Sequence, residues 1–115
     1  MSLDVYLSVE VDTGGAEPYW VRLYDANITH NLSRMASEAG IYNALWHPHE
    51  NGYTKAGDII PVLREGLTLL ESYPERFKKF DSPNGWGRYI HFVPFVREVL
   101  RACEEYPDAD IEVSI

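Results

Sequence analysis

The stretch NITHNLSRMASEAGIYNALW, Asn27 to Trp46, holds the densest mixture of core-forming and chemically capable side chains, and its reading decides the fold. Ile28, Leu32, Met35, Ala36 and Ala39 recur at helical spacing, while Asn31, Ser33, Arg34, Ser37 and Glu38 fall largely on the other side. The spacing predicts an amphipathic helix about three turns long. Asn27 or Thr29 offers a side-chain oxygen to cap its first turn, and Gly40 suits the left-handed residue that ends it. Beyond Gly40, Ile41, Tyr42, Ala44, Leu45 and Trp46 predict a further helical turn that buries the indole before Pro48 stops it.

A helix with one apolar side needs a surface to lie on, and the two ends of the chain supply it. Leu3, Val5, Leu7, Val9 and Val11 alternate with Asp4, Tyr6, Ser8, Glu10 and Asp12, which predicts a strand with one wet face. Gly14 and Gly15 mark a hairpin turn, and Tyr19 to Asp25 returns as a second strand. Val21 and Leu23 continue the apolar face there, leaving Trp20, Arg22 and Tyr24 outside, where they pack across the strands with Tyr6 or meet a partner. Ile111, Val113 and Ile115 alternate with Asp110, Glu112 and Ser114 as a final strand beside the first. On this register Val9→Asp is expected to unfold or aggregate the protein and Glu10→Lys to leave its thermal melt nearly unchanged.

Between these ends lie two further helices. Asp58 is placed as an N-cap, with Pro61 in the first turn and Ile59, Leu63, Gly66, Leu67 and Leu70 as the buried stripe up to Tyr73 and Pro74. A short turn spans Glu75 to Phe80. Pro94 divides the next segment: Arg88 to His91 is assigned as a separate turn or kinked start, and the regular helix begins near Phe92 with Val96, Val99, Leu100 and Cys103 on the core side. The prediction is a single α+β domain over residues 1–115, a small three-stranded sheet with about three helices packed on one face.

Composition narrows the function. A chain of 115 residues with 45% hydrophobic content buries a core without disulfides or metal staples. Its single cysteine, Cys103, forms no internal disulfide, which fits a reducing compartment, and the cytoplasm is the expected location. No apolar run reaches membrane-spanning length and no signal-like start is present, so no membrane association is expected. A formal net charge of -8 opposes phosphate backbones, so no nucleic acid is expected as a partner. Phosphate-cradling loops and acyl-hydrolase elbows are absent, and no cofactor is assigned.

Two places carry side chains capable of chemistry. His47 and His49, two residues apart, would point the same way in an extended segment and could share a metal, with Glu50 or His30 completing the shell, yet no recognised metal-ligand spacing is present and no metal site is assigned. Asn27, Thr29, His30 and Asn31 crowd one helix start. They cap and tie the helix, or they present a polar floor to a small anionic or amide-bearing ligand, with Trp46, Trp86 or Tyr42 as a wall. Asn84 and Trp86 lie in the turn-rich loop DSPNGWG, Asp81 to Gly87. The candidate ligand-binding set is therefore Asn27, His30, Asn31, Trp46, His47, His49, Asn84 and Trp86.

The pattern N-I-T-H-N-L, then M-A and A-G-I-Y, then L-W-x-P and N-G-W-G, resembles a family of small uncharacterised bacteriophage and prophage proteins and covers most of Asn27 to Pro107. The resemblance implies a small cytoplasmic protein of mobile-element type and no mechanism. Two function classes follow. One is an acidic, non-catalytic binding or accessory protein acting on a protein partner or on itself, since Asp4 to Glu17 and Arg97 to Glu112 each carry a surplus of acid. The other is a small-molecule or metal-binding protein, or a minor enzyme, using His30, His47, His49 and Glu50.

Overall fold

The computed structural model describes residues 1–115, and the sheet is its organising layer. β1 (Ser2–Val11) lies between β2 (Tyr19–Thr29) and β3 (Asp110–Ser114), and both pairings are antiparallel. Leu3, Val5 and Leu7 of β1 are buried, and their register partners Ile28, Ala26 and Tyr24 on one side and Val113 and Ile111 on the other share that face. Ser2, Asp4, Tyr6 and Ser8 point the opposite way, with Asn27, Asp25 and Arg22 of β2 and Ser114, Glu112 and Asp110 of β3. The α+β architecture and the terminal strand beside the first are as the alternation predicts.

The second strand differs from expectation in two respects. Its pairing shifts between Leu7 and Ser8, so that Leu7 faces Tyr24, Ser8 faces Arg22, and Leu23 is the extra residue of a bulge. The extra residue resets the alternation: Tyr24 turns to the core face, while Arg22 stays outside with its guanidinium carbon 3.9 Å from the Tyr6 ring centroid. The strand also runs on through Asn27, Ile28 and Thr29, which sequence spacing assigns to the first helix. Ile28 pairs with Leu3 and Thr29 with Ser2, and β-branched side chains suit that pleated position. Asn27 therefore caps no helix; its side-chain amide donates to Ser2 Oγ at 3.0 Å and Asp4 Oδ1 at 2.7 Å on the open face.

Helical backbone starts later, as a 3₁₀ turn at His30–Leu32 capped by Thr29, whose Oγ1 accepts from the Asn31 N–H at 3.3 Å. α1 (Ser33–Glu38) follows, and Gly40, at φ +79°, ends it while the Ile41 N–H reaches back to the Ala36 carbonyl at 2.9 Å. α2 (Tyr42–Trp46) buries Ala44, Leu45 and Trp46.

The two long helices, α3 (Ala56–Ser72) and α5 (Tyr89–Glu105), have 17 residues each and pack on one another, with the short α4 (Pro74–Lys78) between them in sequence. Asp58 is the third residue of α3 rather than its cap; its Oδ2 accepts the Thr54 and Lys55 N–H groups, both at 2.9 Å. These bonds hold its carboxyl below the usual range. α5 is continuous from Tyr89, and Pro94 lies inside it instead of dividing it. Pro94 and Ile90 are both exposed, so the missing bond of the helix ladder lies on the outer side of α5. Pro61 is likewise an exposed residue inside α3, beyond its first turn.

One buried cluster joins Leu3, Val5 and Leu7 to Leu32, Met35, Trp46, Leu63, Phe77, Phe92 and Val96, and all of it lies on one side of the sheet. The other side has no covering layer. Past Leu23 the β1–β2 hairpin runs beyond the helices, with Val11, Tyr19 and Trp20 exposed, and it stretches the molecule to 53 Å against 27 and 22 Å in the other directions. No helix is long and apolar enough to cross a membrane.

Candidate functional site

The candidate residues converge on Trp46, which divides them. Its buried indole donates from Nε1 to Nδ1 of His30 at 2.9 Å and stacks on Tyr42 with ring centroids 5.4 Å apart. An indole N–H only donates, so Nδ1 of His30 must be the accepting nitrogen and the ring proton of the neutral imidazole sits on Nε2. Nε2 is buried and has no acceptor among the protein's own atoms.

On the His30 side lies an open depression of about 600 Å³ lined by Met1, Ser2, Asn27, His30, Asn31 and Trp86, among others. The loop carrying Trp86 is clamped there. Asn31 Nδ2 donates to the Trp86 carbonyl at 2.8 Å, and a Cβ on Gly87 would stand 2.9 Å from Thr29 Cγ2 and 3.0 Å from Asn31 Cβ. Gly87, at φ +98°, is thus required both by backbone and by space. Asn84 turns inward to its own loop: its Oδ1 accepts from the Trp86 N–H at 2.9 Å and from Ser82 Oγ at 2.5 Å. It does not line the depression that Trp86 rims, and these bonds close the turn. The Trp86 side chain is 70% exposed and forms the rim.

On the other side of Trp46 is a second depression, about 230 Å³, lined by His47, His49 and Glu50 together with Glu112, Val113 and Ile115 of the final strand. His47 and His49 do not act as a pair. Pro48 has right-handed helical backbone angles and His49–Asn51 form a 3₁₀ turn, so the segment is not extended and the two rings take different partners. His47 sits between Tyr42 and Glu50, with Nε2 3.1 Å from the Tyr42 hydroxyl and Nδ1 2.7 Å from Glu50 Oε2. His49 Nε2 donates to the Ile111 carbonyl at 2.6 Å and pins β3 to the turn. No group of three His, Cys, Asp or Glu side chains stands close enough to hold a metal ion.

The order Glu50, His47, Tyr42 is that of a carboxylate orienting an imidazole toward a hydroxyl. Sequence reading missed Tyr42 as a polar partner; its spacing to His47 places both near one helix end, which is a weak signal. Glu50 is 74% exposed on its side chain, so water screens the pair, and Tyr42 does not line the depression. The arrangement orders the loop and presents no enclosed reaction site. Cys103 is buried, and burial pushes its thiol up to about 12, which disfavours the thiolate.

Fold and site together define a small α+β domain with an uncovered three-stranded sheet and shallow open depressions. No protein-family model, curated protein or solved structure matches the chain.

Proposed function

We propose that this is a small, non-catalytic binding protein of phage or prophage type, working in the cytoplasm, that takes a basic protein surface on its open sheet face and projecting hairpin. The phage assignment rests on the motif resemblance between Asn27 and Pro107. The binding role rests on one observation: the sheet face left uncovered by the helices presents Asp4, Glu10, Asp25 and Glu112, with Arg22 as the strand cation among them, next to exposed Tyr19 and Trp20. Glu10, Asp25 and Glu112 have no ion-pair partner in the chain. Aromatic anchors beside unpaired carboxylates suit a partner with cations around an apolar patch. Like charge opposes pairing of this face with a second copy, so the protein should sediment as a monomer.

A photo-crosslinking residue placed at Trp20 or Glu112, with Glu65 on α3 as the control position, tests this in the producing cell. A basic protein should be captured from the sheet positions alone, and capture should fall when Glu10 and Asp25 are both changed to Lys. Equal capture from all three positions, or capture indifferent to the charge reversal, would reject it.

A second reading is favoured by the His30 Nε2–H, a buried donor with no protein acceptor beside the Trp86 depression. A small ligand with a carboxylate or amide oxygen would satisfy it. Titration with acetate and acetamide, followed by the His30 ring nitrogens, should give saturable shifts if that reading holds and none if the group is only part of the scaffold.

A further inference from the structure

With 10 lysines and arginines against 18 carboxylates, a cation without a carboxylate is the exception in this chain. Seven of the 10 sit in ion pairs. The remaining three are Arg22, which stands over the Tyr6 ring, and Arg34 and Lys79. Arg34 and Lys79 come from different elements, α1 and the end of α4, yet line the same open depression of about 400 Å³.

The walls of that depression are fixed before any ligand arrives. Phe80 forms one side, its ring centroid 5.9 Å from the Arg34 guanidinium carbon. Ser82 and Pro83 form another, in the loop that closes on itself through the Ser82 N–H to the Gly87 carbonyl at 3.0 Å and is clamped to the 3₁₀ turn by Asn31. Asp81 also lines the cavity, with Oδ1 accepting the Tyr89 N–H at 2.6 Å at the start of α5 and Oδ2 in a loose ion pair with Arg88 Nε at 3.8 Å. Arg34 and Lys79 are the lining cations without a carboxylate partner.

From this geometry we infer that the depression between α1, α4 and the Ser82–Gly87 loop is a binding site for a phosphate monoester. A guanidinium fork takes two oxygens of such a group and an ammonium answers the second charge. The cavity's size falls within the range of about 300–1,000 Å³ that small ligands occupy. The site is independent of the sheet face and its partner, and shares no residue with it.

Inorganic phosphate titrated at constant ionic strength, followed by backbone amide shifts, tests the site directly. Saturable shifts are expected at Arg34, Phe80 and Ser82, with half-saturation at roughly 1–10 mM for the bare anion, and acetate should produce none. Arg34→Ala and Lys79→Ala should each weaken binding about tenfold with well-dispersed spectra retained, because both side chains are exposed. Arg101→Ala, which removes a cation already facing Glu98, should leave binding unchanged. Separate arms with glucose 6-phosphate and with a phosphoserine peptide should both bind, and the tighter of the two identifies whether the monoester belongs to a metabolite or to a modified side chain. Absence of saturable shifts, an equal response to acetate, or full binding by both alanine variants would overturn the assignment.

Discussion

The Trp46 indole donates to Nδ1 of His30 across 2.9 Å, joining a buried aromatic on α2 to the turn where the second strand becomes helix. The bond holds one imidazole tautomer, and its two residues line the two depressions on either side of it. Trp46→Phe keeps an aromatic ring against Tyr42 and removes the donor. It should cost about 1–3 kcal/mol by leaving Nδ1 unpaired and a small cavity behind. Ring-nitrogen spectra should change from one Nε2–H form to a mixture, and an unaltered spectrum would show that Trp46 does not set the tautomer.

Burial along β1 declines toward the hairpin, so the register test belongs at Val5 rather than Val9. Val5 is 1% exposed, whereas Val9 is only half-buried at the base of the projecting hairpin. Val5→Asp should unfold the protein by placing an unpaired charge in the core. Val9→Asp should lower the melting temperature without abolishing folding, and Glu10→Lys should leave the melt nearly unchanged. Equal loss from Val5→Asp and Val9→Asp would contradict the projection of the hairpin.

Gly66 of α3 marks the closest approach between that helix and the Ala39–Ile41 turn. A Cβ there would overlap Ile41 Cγ2 and stand 3.2 Å from the Ala39 carbonyl. The helix-propensity gain of Gly66→Ala, about 1 kcal/mol, is set against overpacking of roughly 1–3 kcal/mol. Denaturant unfolding should show net destabilisation, and a stabilised variant would mean that the turn moves aside freely.

Stability should fall at both extremes of pH for separate reasons. Asp58 has its carboxyl lowered by the Lys55 and Thr54 N–H groups, so its stabilisation is full above the ordinary value of 3.8 and is lost as pH drops through the lowered one. Cys103 is raised from 9.0 to about 12 by burial, so the folded state keeps its proton longer than the unfolded chain does, and stability is level below 9.0 and declines toward about 12. Tyr24, also raised by burial, steepens the decline above 10.0. Cys103→Ala should flatten part of the alkaline limb in urea melts taken across pH, and native Cys103 should resist thiol reagents that label the unfolded chain. Rapid native labelling would place the thiol at the surface.

Period and punctuation in the sequence determined the elements that repeat a simple pattern. Leu3, Val5 and Leu7 alternate because one face of β1 is buried, Ile111 and Val113 do so beside it, and the stripes of α3 and α5 follow from one apolar side on each helix. Local pattern could not decide the end of β2, since Ile28 and Thr29 fit a strand or a helix start equally well and only pairing with Leu3 and Ser2 chooses. Nor could it show the bulge at Leu23, which turns Tyr24 to the core face while Arg22 stays outside, or the outward side of α5 on which Pro94 stays within the helix. The candidate site divides the same way. Sequence gathered His30, Asn31, Trp46, His47 and Trp86 by type, and tertiary packing then paired His30 with Trp46, tied Asn31 to the Trp86 carbonyl, gave His47 and His49 different partners, and set Arg34 and Lys79 on one depression. Hydrogen bonds and charge pairs between residues far apart in the chain leave no periodic trace, because each is set by where rigid elements dock and not by the composition of either one.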